Sequence, residues 1–331
     1  MTLRTFWNST WFRFTLGTLI SALFLYLAIK DVPLDEVARA LARVHLAWVA
    51  LAIALAIAQS FLRATRWIQL YHPLQRGLRV WQMFEIVIIS QMLNIVAPWR
   101  IGELARIYLA GEIEKRSKTQ TLATLGIEKI FDTTMLLLLL IGIPFFMTLP
   151  VWLERSREGL IIASIALFIG AFALIVLRER LIALLGKISL PWTRRSLDAH
   201  AQIALDSLDV LKRWDLHLAL QAQSFVIWLI GVAINYCAFR ALDLQLPFIA
   251  PFLLLAVLQV GGFVPSSPGK VGVFQALCIA GLALFGIDKS IGLTYGILLY
   301  LIAYGTPVSL GIWFLWRTGL SLRRVVTGAS A

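Results

Sequence analysis

Two short breaks in an otherwise hydrophobic sequence carry residues that could bind an anion. Each break has a proline, a basic residue and a glycine at the same spacing: Pro98, Arg100 and Gly102 in the first, Pro268, Lys270 and Gly272 in the second. A helix that restarts at such a break offers unpaired N–H groups and the positive end of its dipole, and a nearby cation adds to both. The breaks therefore indicate an anionic group handled inside a membrane. The alternative is that both cations are structural and reach toward a membrane interface.

Polar residues beside the breaks are further candidates. Asn94 precedes the first break, where it could satisfy broken backbone or ligand oxygens, or cap a helix end. Glu103 and Arg106 follow the break on one helical face, since they are three residues apart. They form a structural ion pair, part of a membrane-embedded functional site, or both. In the second break, Gly269 lets backbone or ligand approach closely.

Two carboxylates lie within a long apolar segment, residues 119–149. Glu128 and Asp132 are four residues apart and therefore share a helical face. Either could exchange a proton or hold a cationic headgroup. The alternative is that Arg106 or Lys129 neutralises them as part of the structure.

Arg63 and Arg66 lie one helical turn apart near the end of another apolar segment, residues 46–70. A guanidinium can bind a lipid phosphate through two parallel hydrogen bonds, which makes the pair a candidate first contact for a headgroup. The same pair is explained equally well as cytoplasmic charge that orients the chain in the membrane.

The composition is that of an integral membrane protein. The chain has 331 residues, of which 60% are hydrophobic and 15% charged, and its mean hydropathy is +0.82. The net charge of +12 comes from basic residues between apolar runs, where membrane topology places them. This distribution argues against nucleic-acid binding and favours contact with anionic lipid headgroups.

Sequence motifs for other functions do not stand out. The sequence has no Gly-x-x-x-x-Gly-Lys-Ser/Thr loop for ATP phosphates and no clear Ser/His/Asp or Cys/His grouping. Cys237 and Cys278 lie in apolar runs, and the four histidines lack metal-ligand spacing. We therefore expect no cofactor, no metal and no catalytic residue.

The apolar runs predict an all-α polytopic membrane protein with about six spans and two re-entrant helical hairpins. The predicted spans are residues 11–29, 46–70, 119–149, 160–177, 216–239 and 291–316. The hairpins consist of residues 80–97 with the short helical piece after Pro98, and of residues 251–264 with 271–286. Interfacial helices are predicted over residues 33–43 and 197–211.

The distribution of basic residues decides the predicted topology. If both hairpins return to the side they entered, most basic residues and both termini are cytoplasmic, as the positive-inside rule requires. The alternative is that one or both hairpins cross the membrane fully. In the re-entrant arrangement an odd number of crossings inverts the second half, so that both hairpin tips meet around a shared cavity. The expected organisation is a single membrane domain over residues 1–331, with repeats at 33–177 and 197–316 and a basic cytoplasmic connector at 178–196.

These motifs together resemble the lysylphosphatidylglycerol synthase transmembrane family, also called the flippase-like domain family. The matching motifs are Arg63-x-x-Arg66-Trp67, Asn94-x-x-x-Pro98-x-Arg100-x-Gly102-Glu103-x-x-Arg106, Glu128-x-x-x-Asp132 and Pro265-x-x-Pro268-Gly269-x-x-Gly272. The similarity covers nearly the whole chain, and hopanoid-associated membrane proteins are similar too. It implies an inner-membrane protein tied to translocation of lipids, often aminoacylated phosphatidylglycerol or polyprenyl-linked lipids.

The sequence departs from the family's pattern at two positions. Lys270 stands where the family usually has a small residue, and Gln275 stands where it often has glutamate. The resemblance therefore leaves the preferred headgroup charge open. A soluble aminoacyl-transferase domain is not part of this sequence, so we expect no lysine transfer.

The function predicted from these observations is a lipid translocator of the bacterial inner membrane. An anionic or aminoacylated headgroup would lie between the two hairpins, and a gradient or a downstream reaction would drive the movement. Membrane lipids are the expected partners, with lipid-synthesis enzymes as candidate protein partners. Two alternatives remain open: an integral-membrane lipid-modifying transferase or its accessory subunit, and a carrier of a soluble organic anion.

Overall fold

The structure, a computed structural model, describes residues 10–73, 75–97, 101–146, 162, 213–262, 264 and 266–319. The predicted span at 160–177 falls almost wholly outside these residues, and so do the connector at 178–196, the interfacial helix at 197–211, Pro98 and Arg100. Throughout the described residues, the regular structure is helical and no strand occurs.

Eleven α-helices follow one another along the described residues. In chain order they are α1 (Thr10–Ile29), α2 (Leu34–Ala42), α3 (Leu46–Gln69), α4 (Val80–Val96), α5 (Gly102–Glu114), α6 (Lys118–Gly142), α7 (Trp214–Ala241), α8 (Ala250–Gly261), α9 (Val273–Ala283), α10 (Lys289–Tyr300) and α11 (Thr306–Thr318). Short 3-10 turns occupy Ile143–Phe145 and Pro268–Lys270, and a π-helical turn, Leu301–Gly305, joins α10 to α11 without a break.

Length and hydrophobicity qualify three of these elements to cross a membrane, counted over the described residues. They are α3, α7 and the continuous run from α10 through α11, and a fourth is added if α1 and α2, bent by 83°, form one span. By contrast, α4 has 17 residues and α8 has 12. At 1.5 Å per residue these helices measure about 26 Å and 18 Å, shorter than a bilayer core of about 30 Å. The all-helical, multi-pass prediction is therefore confirmed, whereas the number of spans, the topology and the inverted repeat remain predictions.

Contacts group the chain into two compact units, and each is described by itself. Unit 1 comprises residues 1–61, 85–106 and 229–331, and unit 2 comprises residues 62–84 and 107–228. Both units combine segments that are distant in sequence. The repeats expected at 33–177 and 197–316 are a different division of the chain, and they remain a prediction.

The core of unit 1 is built around α9, which packs against α1, α8 and α10. Glycines allow the close approach: a Cβ atom added at Gly292 would lie 3.1 Å from the Ile279 Cα, and one at Gly296 would lie 3.2 Å from the Gln275 Cα. Beside this contact the buried Tyr295 hydroxyl donates to the Asn235 side chain at 2.7 Å. The segment that contains the second break is therefore held by helices on several sides.

Candidate functional site

The second break is a helical hairpin whose two arms run antiparallel. An added Cβ at Gly261 of α8 would overlap the side chain of Leu277, and one at Gly281 would lie 3.0 Å from Leu254. The end of α8 thus contacts the middle of α9, and the end of α9 contacts α8. The chain turns back on itself here, as the sequence predicts.

The tip of this hairpin depends on glycine. Gly269 has φ +74° and Gly272 has φ +87°, a backbone conformation that a Cβ atom disfavours. An added Cβ at Gly269 would also lie 2.8 Å from the hydroxyl oxygen of Tyr300, and one at Gly272 would overlap the carbonyl oxygen of Ser21. Both glycines of the Pro-Gly-x-x-Gly motif are therefore required by backbone geometry and by neighbouring atoms.

Lys270 has a definite partner at the tip. Its ammonium nitrogen donates to the carbonyl oxygen of Gly262, 3.2 Å away, just past the carboxyl end of α8. A cation at this end complements the helix dipole. The sequence placed Lys270 beside the start of the returning helix, and the structure shows a bond to the end of the preceding one.

Gln275 closes the amino-terminal end of α9. Its side-chain oxygen accepts a hydrogen bond from the Gly272 backbone N–H at 2.7 Å. The departure from glutamate at this position leaves the preferred headgroup charge open, and the structure shows that Gln275 also caps a helix. An amide or a carboxylate oxygen can serve as such an acceptor.

Helix α1 fastens the second break in place, which the sequence analysis did not foresee. The Ser267 N–H donates to the Ser21 hydroxyl oxygen at 2.8 Å. An added Cβ at Gly17 would lie 3.0 Å from the Ser266 carbonyl oxygen. The signal was present as small residues four apart, Gly17 and Ser21, a spacing that lets another backbone approach a membrane helix.

The first break also turns the chain back. The Ser90 hydroxyl donates to the Gly102 carbonyl oxygen at 2.8 Å, so the start of α5 lies against α4. An added Cβ at Gly102 would overlap the Ser90 carbonyl oxygen and would lie 2.7 Å from the Asn94 side chain. Gly102 is therefore needed for this contact, and Asn94 lies beside it. Among its neighbours in the sequence motif, Arg106 is buried and Glu103 is partly buried.

A cavity of about 320 Å³ in unit 1 is bordered by the end of α4 and by the tip of the second break. Its lining residues are Ile95, Val96, Pro268, Gly269, Tyr300, Leu301, Tyr304, Gly305 and Val308. The first two end α4, the next two belong to the tip of the second break, and the others belong to the last long helical run. Of the predicted site residues, Pro268 and Gly269 thus line the cavity.

The π-helical turn forms one wall of this cavity. Proline at position 307 lacks the N–H that would bond to the carbonyl of Ala303, which explains why the helix widens here. Single π turns are frequent at functional sites. Next to the turn the rings of Tyr300 and Tyr304 meet edge-on, with centroids 4.7 Å apart, and Phe274 packs against both. The sequence analysis missed this wall, although Gly305-Thr-Pro307 marked it.

Arg63, Arg66, Glu128 and Asp132 come together in unit 2. Arg66 is fully buried and donates to Asp132 at 2.9 Å and to Glu128 at 3.2 Å. A further hydrogen bond joins Arg66 to the Ser224 hydroxyl at 2.8 Å, and Arg63 donates to Asp132 at 3.3 Å. The two arginines, for which the sequence suggested a phosphate contact, are thus bonded to the two carboxylates. Below, these four residues are called the charged cluster.

Two buried hydrogen bonds continue this contact along α6, one from α3 and one from Tyr71, just past the carboxyl end of α3. The Trp67 indole N–H donates to the Thr124 hydroxyl at 3.0 Å, and the hydroxyls of Tyr71 and Thr121 lie 2.8 Å apart. Tyr71 contacts the start of α6 at Thr121, and Arg63 contacts the middle of α6 at Asp132. The two segments therefore run in opposite directions. The charged cluster is one end of an antiparallel polar contact.

An ion pair in unit 1 that the sequence did not indicate joins a buried carboxylate to a partly exposed guanidinium. Glu85 of α4 is buried, and its carboxylate lies 3.0 Å from the Arg317 guanidinium at the end of α11. Arg317 also lies over the Trp313 ring, 5.7 Å from the centroid. The two residues are 232 positions apart, so no local sequence signal connects them.

The structure and the breaks define a polytopic helical membrane protein in which the chain turns back at two interruptions. The chain belongs to the family described as the lysylphosphatidylglycerol synthase TM region, whose family model matches residues 14–311. It is also similar to the UPF0104 membrane protein of Methanothermobacter thermautotrophicus, with 23% identity over 253 residues, which are 70% of this chain and 73% of the relative. No solved structure matches the chain. The membership confirms the predicted family and indicates a function connected with membrane lipids.

Proposed function

We propose that this protein is a lipid translocator of the inner membrane, with both termini cytoplasmic. In this proposal an anionic or aminoacylated headgroup is bound between the two breaks, chiefly by Arg100 and Lys270. Rocking of one repeat against the other would then expose the headgroup to each side of the membrane in turn.

The observation that carries the proposal is a cavity shared by the end of α4, just before the first break, and the tip of the second break. Ile95 and Val96 are distant in sequence from Pro268 and Gly269, yet all four border the same space. Irregular backbone inside a membrane is tolerated where protein or a cavity covers it. Paired interruptions of this kind are where transporters bind substrate.

Lys270 can take part without losing its present bond. A lysine ammonium has three N–H donors, and one of them serves the Gly262 carbonyl. In this proposal a further N–H of the same ammonium donates to a headgroup phosphate oxygen.

The test is binding of phosphatidylglycerol to purified protein carrying Lys270→Gln, Lys270→Arg or Arg100→Gln. Loss of one charge-assisted contact weakens binding by about 1.5–3 kcal/mol, which is roughly ten- to a hundredfold in Kd. We expect this loss for both glutamine variants and a smaller one for Lys270→Arg. The double glutamine variant should be non-additive, because neighbours that share a ligand couple energetically.

Lys289→Gln is the matched control. Lys289 also donates its ammonium to a backbone carbonyl, that of Lys30, but it lies outside the two breaks. Its affinity for phosphatidylglycerol should equal that of the wild type. Wild-type affinity in the folded Lys270→Gln and Arg100→Gln proteins would contradict the proposal.

Translocation itself is measured with a fluorescent phosphatidylglycerol in proteoliposomes, where an impermeant quencher reports the outer leaflet. Wild-type protein should accelerate exchange between leaflets, and the Arg100→Gln and Lys270→Gln variants should slow it in proportion to their lost affinity. Lipid binding with no acceleration would instead favour the lipid-modifying alternative.

Orientation is tested separately by cysteine labelling. Both native cysteines are buried, so they can be replaced before single cysteines are placed at Lys115 and Lys289. An impermeant maleimide should label position 115 only from the cytoplasmic side and position 289 only from outside. Labelling of position 115 from outside would show that the first hairpin crosses the membrane.

A further inference from the structure

The cavity beside the breaks has a wall unsuited to a charged headgroup. Among the lining residues that the structure describes, none carries a charged side chain, and Ile95, Val96, Leu301 and Val308 make much of this lining apolar. An ionised group placed against such a wall would lose its hydration without gaining a partner, which is costly. The cavity therefore suits an uncharged part of a ligand.

Within the described part of the lining, two tyrosines supply the polar side-chain groups. The Tyr300 hydroxyl lies over Gly269, where even a Cβ atom would come within 2.8 Å of it. A tyrosine presents an apolar ring and, at its end, a hydroxyl that can donate a hydrogen bond. An apolar wall that ends in a hydroxyl donor matches an acyl chain that begins with an ester carbonyl.

The π turn leaves room for that chain. Gly305 lies in the wall, and a Cβ atom added there would meet no atom within 4 Å. The space at the position of this added Cβ atom is therefore open. The apolar helices around the site are surrounded by lipid in a bilayer, which supplies acyl chains at high local concentration.

We propose that this cavity binds one ester-linked acyl chain of a membrane phospholipid, with the Tyr300 hydroxyl donating to the ester carbonyl. The inference rests on the proposed function in that it assigns a place to the apolar part of the same lipid. The charged headgroup then lies outside the cavity, toward the basic residues of the breaks. The protein would recognise a phospholipid at two separate points.

The experiment uses full-length protein in vesicles that contain phosphatidylglycerol with a photoactivatable diazirine in one acyl chain. After illumination, cross-linked peptides are identified by mass spectrometry. In the wild type we expect cross-links at residues 95–96 and 300–308. Ile312, an exposed apolar residue one turn further along α11, reports the ordinary contact with surrounding lipid.

Gly305→Phe fills the cavity and should abolish the cross-links at 95–96 while leaving those at Ile312 unchanged. Gly126→Phe is the matched control, because Gly126 of α6 likewise has no atom within 4 Å of an added Cβ but lies outside the cavity lining. Its cross-links should match those of the wild type. Cavity cross-links that persist equally in the folded Gly305→Phe protein would overturn the proposal.

Tyr300→Phe tests the ester contact. Loss of one neutral hydrogen bond should reduce cavity cross-linking of the ester lipid roughly two- to tenfold. An ether-linked lipid of the same chain length has no carbonyl and should be unaffected. An equal response of the two lipids would overturn the assignment to Tyr300.

Competition with unlabelled compounds shows whether the bound acyl chain belongs to a phospholipid or to a free fatty acid. Phosphatidylglycerol should compete with the probe, and a free fatty acid should not. Competition by the fatty acid alone would overturn the phospholipid assignment. Cavity cross-links without leaflet exchange would reject translocation but keep this site, whereas exchange without cavity cross-links would reject this site alone.

Discussion

The charged cluster of unit 2 and the cavity of unit 1 are formed in opposite ways, the first by charged side chains and the second by backbone geometry. In the cluster, four ionised side chains bond to one another, and the side chain of Arg66 is 0% exposed. In the cavity wall, the described lining residues are uncharged, and the shape comes from glycines, a proline and a widened helix turn. Charge fixes helix contacts in the first region, whereas backbone geometry creates space in the second.

The difference follows from the cost of burying charge. A buried ion is tolerated when it is paired and hydrogen-bonded. If one partner is removed, the charge of the other is left uncompensated. Helix α6 illustrates this: its charged middle keeps it out of the set of plainly apolar spans, yet Arg63 and Arg66 meet its two carboxylates. We therefore expect the main role of the charged cluster to be stabilisation of the fold.

The largest expected effect comes from Arg66→Met, which leaves Glu128 and Asp132 without their shared partner. We expect a loss of about 3–5 kcal/mol in the free energy of unfolding, because that is the usual cost of breaking a buried ion pair. Unfolding in a detergent–denaturant titration measures it. The further changes Glu128→Gln and Asp132→Asn should restore part of the loss.

Arg213→Met provides the comparison for that variant. Arg213 is paired with Asp215, but both side chains are more than half exposed. We expect no measurable change in stability. If Arg66→Met were as stable as Arg213→Met, the charged cluster would not support the fold.

Much of the fold could be predicted because hydrophobic length is a local property. The predicted segments 46–70 and 80–97 match α3 (Leu46–Gln69) and α4 (Val80–Val96) closely. The breaks were predicted because proline and glycine interrupt a helix wherever they occur. These signals lie in neighbouring residues, so no tertiary information is needed to read them.

The partners of buried charges could not be predicted in the same way. Glu128 and Asp132 offered Arg106 and Lys129 as candidate partners, while the structure shows bonds to Arg63 and Arg66 from more than 60 residues away. Helix spacing identifies which residues share a face, but only packing decides which faces meet. The same reason hid the contact of Ser21 with Ser267.

The second-largest loss of stability is expected in unit 1, where contacts depend on backbone geometry, for the variant Gly102→Ala. A methyl group at this position would overlap the Ser90 carbonyl oxygen, so α4 and α5 must separate. We expect a loss of about 1–3 kcal/mol in the free energy of unfolding, typical of overpacking. Gly126→Ala, where an added Cβ meets nothing, should instead stabilise by up to about 1 kcal/mol through helix propensity. Equal effects of the two alanines would remove the evidence for a tight first break.

A third variant, Tyr71→Phe, asks whether the α3–α6 contact depends on charge alone. It removes the hydroxyl that lies 2.8 Å from Thr121 while keeping the ring, and both residues are fully buried. We expect a loss of about 0.5–1.5 kcal/mol, the usual net worth of one buried hydrogen bond. Tyr236→Phe, at an exposed tyrosine of α7, is the control and should be neutral. A neutral Tyr71→Phe would confine the polar contact to the charged cluster.

The smallest change in stability is expected for Gln275→Glu, which adds a charge at the tip of the second break in unit 1. The Gln275 oxygen caps α9 by accepting from the Gly272 N–H, and a glutamate oxygen can accept the same bond. Negative charge is also favoured at a helix amino terminus, which offsets part of the cost of burying it. We expect a change below about 0.5 kcal/mol in the free energy of unfolding, against about 0.5–2 kcal/mol lost in Gln275→Leu, which has no acceptor. If the glutamate variant lost as much stability as the leucine variant, capping would not be the role of Gln275. If it also changed the affinity for phosphatidylglycerol while staying folded, this residue would contribute to headgroup selection as well as to the fold.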